Sequence, residues 1–197
     1  MRKGSRVRLL RAPGFVVAAL GICGSYLLAQ AGASGVVVMP RYDANGALQL
    51  PENYRRWTLI GTSLGLSYNE DVPKREGFNH TLMEPTAYDY FVETGEFREG
   101  TMLALLVRGA ASDAMPARHG RFASDVVAVE LAVKDSSRVE EGWAYYDFRG
   151  GSRARTSAQP FPKTQGCFAC HVDHAARDNV FLQFYPLLSE AAGISTK

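Results

Sequence analysis

The chain has 197 residues, 46% of them hydrophobic and 21% charged, which suits one globular domain behind a leader. The net charge of +2 includes Arg2, Lys3, Arg6, Arg8 and Arg11; the body behind that cluster is slightly acidic, so nothing argues for a nucleic-acid partner. Three cysteines, one of them Cys23 in the leader, leave no disulfide framework to hold the domain.

Residues 13–29 form an apolar run behind the basic cluster and end in Ala29-Gln30-Ala31, a small-x-small cleavage pattern. The run is short for a spanning helix and rich in Gly and Ala, so residues 1–31 read as a cleaved signal peptide rather than an anchor. Leu20-Gly21-Ile22-Cys23 is a poor lipoprotein site, because Ile22 stands where a small residue is needed.

Residues 36–50 are a lead-in punctuated by Gly and Pro, and 51–56 predict a short helix with Pro51 in its first turn. Residues 57–66 predict a strand, 69–77 a polar loop and 78–83 a second strand. Pro85 begins a helix with Tyr88 and Phe91 inward, closed by Gly95. Residues 102–107 are all apolar, a strand buried on both faces. A loop is expected over 109–120, strands over 122–133 and 143–148, and a linker over 149–162. A helix over 180–192 carries Phe181, Phe184, Tyr185 and Leu188. Central strands with helices at the ends predict an α+β domain built mainly on an antiparallel sheet.

Between linker and final helix lies Cys167-Phe168-Ala169-Cys170-His171. Two thiols three residues apart, followed at once by an imidazole, read as a c-type haem attachment site. On a helix, positions i, i+3 and i+4 share one face, so both thiols and His171 can meet one haem. A redox dithiol would usually follow a strand in a βαβ context, and a zinc site needs a second ligand pair. Haem c, one group per chain with His171 on its iron, is the expected cofactor. Thioether attachment takes place outside the bacterial cytoplasmic membrane, which agrees with the leader and places the protein in the periplasm.

Several stretches taken together resemble the cytochrome P-460 family. They are Asn53-Tyr54-Arg55-Arg56-Trp57, Glu84-Pro85-Thr86-Ala87-Tyr88 and Thr94-Gly95-Glu96-Phe97-Arg98-Glu99-Gly100-Thr101. Val133-Lys134-Asp135-Ser136, Gly142-Trp143-Ala144, the late haem motif, and Asp178-Asn179-Val180-Phe181 with Phe184-Tyr185-Pro186 complete the series. The resemblance implies a single haem domain over residues 36–192, a homodimer and five-coordinate iron. It extends to a non-enzymatic sister group, cytochrome c-prime-beta, which binds nitric oxide or carbon monoxide.

In the hydroxylamine-oxidising members, a lysine on the strand after Gly100-Thr101 is joined to the porphyrin edge. The matching position here is Leu105, and slips of one or two residues give Ala104, Leu106, Leu103 or Val107. None can form that bond, which brings the chain closer to the c-prime-beta type. The distal glutamate of the active members matches Glu130. It stands in an otherwise apolar run, where a carboxylate is costly unless it faces water, a partner or a cofactor pocket. Lys134 is expected to mark a solvated strand end.

Phe78, with Met83 and Phe122 as further candidates, is expected to line the haem pocket. Asn79 and His80 lie on the strand that the resemblance places near the distal face, and His80 as a sixth ligand conflicts with the family's open position. His119 and His174 read as surface residues. The expected function is a periplasmic haem protein whose open site binds small gases such as nitric oxide. The alternative is an oxidoreductase that oxidises hydroxylamine or nitric oxide, with Glu130 relaying protons and electrons passing to a periplasmic carrier cytochrome. Plain electron transfer ranks last, since it favours two strong axial ligands.

Overall fold

The computed structural model describes residues 36–67, 76–151, 153–164 and 166–195. The leader and most of the polar loop expected at 69–77 fall outside them. The first strand, β1, is Leu48–Gln49, and Tyr54–Arg56 forms a single 3-10 turn where a short helix was expected. The sheet then runs through β2 (Thr58–Leu64), β3 (Gly77–Met83), β4 (Met102–Ala111), β5 (Phe122–Lys134) and β6 (Trp143–Asp147). Each of these strands pairs antiparallel with its neighbour in sequence, in the order β2-β3-β4-β5-β6. A two-residue β7 (Ser157–Ala158) pairs with β1 beside this sheet. The architecture is α+β with a mainly antiparallel sheet.

Side chains alternate across a strand, so β4 feeds two cores at once. Met102, Ala104 and Leu106 turn to one layer, where they meet Tyr54, Trp57 and Phe148. Leu103 turns to the other, with Met83, Trp143 and Tyr145 against Phe91, Phe97 and Leu188. Burial on both faces is what the unbroken apolar run predicts. The strand nevertheless continues to Ala111, into the stretch expected to be loop, past two register shifts around Arg108.

Helix α1 (Pro85–Thr94) covers the second layer. The Glu84 carboxylate accepts from the Ala87 amide at 2.9 Å, Pro85 sits where its missing N–H is not needed, and Gly95 closes the helix at φ 72°. Arg98 backs this cap by donating to Thr86 and pairing with Glu84 at 3.6 Å. Helix α2 (Gly166–His174) follows the linker, inside which β7 had no signal in composition.

The C-terminal segment departs most from expectation. In place of one helix over 180–192 there is a 3-10 turn at Leu182–Phe184 and then a short α3 (Pro186–Ala191). Proline has no N–H to donate and disfavours helical backbone at the residue before it. Tyr185 accordingly leaves the helical region at φ −118° and ψ 64°.

This broken segment lies directly on β2. A Cβ at Gly61 would stand 2.7 Å from the Phe184 carbonyl oxygen and 2.7 Å from Tyr185 Cδ1, so only glycine admits the contact. Gly61→Ala should therefore destabilise the protein by about 1–3 kcal/mol, as overpacking does, despite the better strand propensity of alanine. Denaturant unfolding measures it, and a variant as stable as the parent would show that this segment does not seat on β2 as described.

Candidate functional site

Strand register builds one wall of the site. Gly61, Thr81, Leu105, Glu130 and Asp147 stand in a single row across all five strands. The next row on the same face is Met83, Leu103, Ala132 and Tyr145. Opposite this wall lie α2, the chain around Asn179–Phe181 and the Phe184–Tyr185 segment. Together they enclose a cleft of about 460 Å³, a volume suited to a small-molecule or cofactor site.

Helix α2 turns Cys167, Cys170 and His171 into this cleft, as the i, i+3, i+4 spacing requires. The two thiols are unpaired. Burial, and then the nearby Glu130 carboxylate, push the Cys167 thiol above its ordinary value. A reactive redox cysteine needs the opposite shift. Among the described residues no group of three His, Cys, Asp or Glu side chains is placed to hold a metal ion unaided.

The imidazole of His171 is held on three sides. Its Nδ1 donates to the Asn179 carbonyl oxygen at 2.7 Å. The Tyr145 ring lies against it at 4.3 Å and the Phe181 ring at 4.4 Å, centroid to centroid. Tyr145 in turn donates its hydroxyl to the same Asn179 oxygen at 3.2 Å. With Nδ1 committed as donor, Nε2 is left as the nitrogen able to bind a metal. Burial lowers the imidazole pKa, against the opposing pull of the Asn179 bond, which keeps that lone pair available at neutral pH.

Across the cleft, Leu105 faces Thr81 on one side and Glu130 on the other. Glu130 is not turned outward: its side chain is 31% exposed and lines the cleft. Arg149 donates to it at 3.3 Å and stands 3.8 Å from Asp147. Burial first, and Asp147 second, raise the carboxyl above its ordinary value, while Arg149 pulls it down.

The site thus brings together Cys167, Cys170, His171, Leu105 and Glu130 from the residues singled out in the sequence, with Asn79 at its margin. Phe78 is a correction. Because Thr81 pairs with Leu105, the cleft face of β3 belongs to Asn79, Thr81 and Met83, and Phe78 and His80 turn to the other layer. Phe78 stands opposite Arg108, its ring 5.9 Å from that of His80, and neither lines the cleft. Met83 belongs to the core beneath the cleft, and Phe122 is exposed at the far end of β5. His119 and His174 are exposed. Lys134 ends its strand as expected but is covered rather than solvated, its side chain 19% exposed and paired with Asp178.

Tyr145 and Arg149 were not anticipated, nor were the roles of Phe181 and the Asn179 carbonyl at the site. Asp178-Asn179-Val180-Phe181 stood among the stretches of the resemblance, and its turn-forming Asp178-Asn179 pair is the signal that could have pointed to the carbonyl.

The sequence model of the cytochrome P-460 family matches residues 51–182. No curated protein matches the chain. Cytochromes are haem proteins, and the residues present fit that group. The cleft is roomy, its walls are largely aliphatic and aromatic, and one half-buried imidazole offers a free nitrogen beside two unpaired thiols.

Glu130 supplies a test of the site's electrostatics. Its folded pKa lies above the unfolded one, so ionisation costs the folded state stability as pH climbs from 4.5 through the raised value. Below 4.5 both states hold the proton and the cost disappears. Glu130→Gln should therefore melt at a higher temperature than the parent at neutral pH, and the two should converge in acid. Melting curves that stay parallel across that range would contradict the assignment.

Proposed function

The chain belongs to the cytochrome P-460 family, and on that premise we propose that it carries one haem c and binds a small neutral gas such as nitric oxide. Cys167 and Cys170 would hold the haem through thioethers, and His171 Nε2 would be its protein ligand. When bound there, haem would supply an iron able to bind a diatomic ligand. The observation that carries the reading is the make-up of the sheet wall. Leu105 stands at its centre, flanked by Thr81 and Leu103, and among the described lining residues there is no methionine and no histidine besides His171.

The chain's own residues divide the work. Asn179, Tyr145 and Phe181 orient the imidazole, and burial, against the pull of the Asn179 bond, keeps it neutral. Leu105 has no nitrogen with which to bond a porphyrin edge, which favours the cytochrome c-prime-beta type over the hydroxylamine oxidisers. Glu130 holds a proton more tightly than an ordinary carboxyl and can hydrogen-bond a ligand in the cleft. Attachment outside the cytoplasmic membrane makes the protein periplasmic, and the family resemblance supports a homodimer.

One observation favours the alternative, an oxidoreductase acting on hydroxylamine or nitric oxide. The same Glu130, buried at the cleft and paired to Arg149 at its mouth, is suited to move a proton between site and solvent. A periplasmic cytochrome would then accept the electrons.

Ferrous protein should give the spectrum of high-spin five-coordinate iron, which His171→Ala should abolish; a six-coordinate low-spin spectrum would sink the open site. Tryptic peptides should carry haem only through Cys167 and Cys170, whereas Leu105→Lys should gain a further link. With hydroxylamine and an artificial oxidant, nitric oxide binding without sustained turnover is expected. Sustained turnover lost in Glu130→Gln would establish the enzyme instead.

A further inference from the structure

The carbonyl that accepts the His171 hydrogen bond sits on a backbone turn in an uncommon conformation. Asp178 and Asn179 both adopt left-handed backbone, at φ 47° and 55°. The amide of Val180 donates to the Arg177 carbonyl at 2.8 Å, and that of Arg177 returns the bond at 3.3 Å. This is a two-residue turn of the type that needs positive φ at both central positions. Asp and Asn bear that conformation better than other side chains, yet less well than glycine, and such strain persists only where the surroundings fix it.

Two anchors fix it here. Lys134 Nζ lies 2.6 Å from Asp178 Oδ2, and Asn179 Nδ2 donates to the Glu141 carbonyl at 3.2 Å. Lys134 stands four residues beyond Glu130 on the same face of β5. One strand therefore serves the cleft wall with its middle and the support of the axial imidazole with its end.

We propose that Lys134 is a positioning residue for the iron's axial ligand, acting through Asp178 and the turn that presents the Asn179 carbonyl to His171. This rests on the reading of His171 as the iron ligand. The Asn179 oxygen accepts from both His171 and Tyr145, so its placement sets the ring orientation and the strength of the Nδ1–H bond together. A strong bond at Nδ1 makes Nε2 a better electron donor, which tightens its bond to iron and favours the oxidised state. Without the Lys134 ammonium the turn keeps its two backbone bonds and the Asn179 anchor but loses the charged one, and the carbonyl is held less firmly. The iron–histidine bond then weakens and the reduction potential rises.

Resonance Raman spectra and redox titration of the haem-loaded full protein test this. Lys134→Met retains the length of the stem and removes the charge; Asp178→Asn removes the partner charge in a residue that still tolerates left-handed backbone. Each should move the ferrous iron–histidine stretch to lower frequency and raise the potential. The double variant should go no further than either single one, as expected for one shared interaction. Lys134→Arg should restore both values. A merely structural pair would lower the melting temperature and leave band and potential in place, and that result in both single variants overturns the proposal. If the unaltered protein shows no iron–histidine band, or one that survives His171→Ala, it is the assignment of His171 that fails.

Discussion

The pairing of Leu105 with Glu130 across β4 and β5 sets which face of the sheet each side chain of the site takes. Side chains alternate with a period of two, so a slip of one residue would send Glu130 into the apolar layer of Met102, Ala104 and Leu106. An unpaired carboxylate there costs several kcal/mol, by the order of magnitude for burying a charge without a partner. It would also bring the large side chains of the other layer into the cleft. The observed register separates the two tasks: odd residues of β4 shape the site at Leu103 and Leu105, and even ones fill the core behind it.

The two walls of the cleft are made differently. The sheet wall is backed by a filled core and a continuous ladder, so Leu105 and Glu130 stand on rigid supports. The opposite wall is assembled from short pieces that Pro186 and the left-handed Asp178-Asn179 pair keep from becoming one helix. Gln183 ties the end of α2 to the 3-10 turn, and the Asn179 backbone oxygen ties α2 to the sheet wall, the His171 imidazole and the Tyr145 phenol both donating to it. The less regular wall thus carries the more exacting chemistry, and specific hydrogen bonds replace bulk packing as the source of its precision.

Much of this was legible in the residues, for reasons that differ from place to place. The placing of Cys167, Cys170 and His171 on one cleft-facing side of a helix follows from their spacing, which is read without any knowledge of the fold. The run from Met102 to Val107 could only be a strand buried on both faces. Phe78 was misplaced because the face of a strand is decided by its partner's register, and that register depends on where Thr81 meets Leu105. The final helix was overextended because an apolar pattern outweighed Pro186, whose effect on the residue before it was the better guide. The support of His171 was invisible for another reason. It depends on a main-chain atom, and a carbonyl is the same at every residue until the fold aims it.

Helix α2 contributes no fully buried side chain, whereas the sheet is a meander in which every strand pairs with its neighbour in the chain. Contacts so local in sequence form early in folding, and segments held by fewer contacts dock after them. The sheet wall can therefore be complete while the stretch from Gly166 to His174 still lies on the outside. On the proposed reading of the thiols, a segment in that condition would be open to the machinery that joins haem to protein, and its later docking would bring the attached group against a surface already shaped to receive it. In that order of events the thiols are carried by a part of the chain that would commit late.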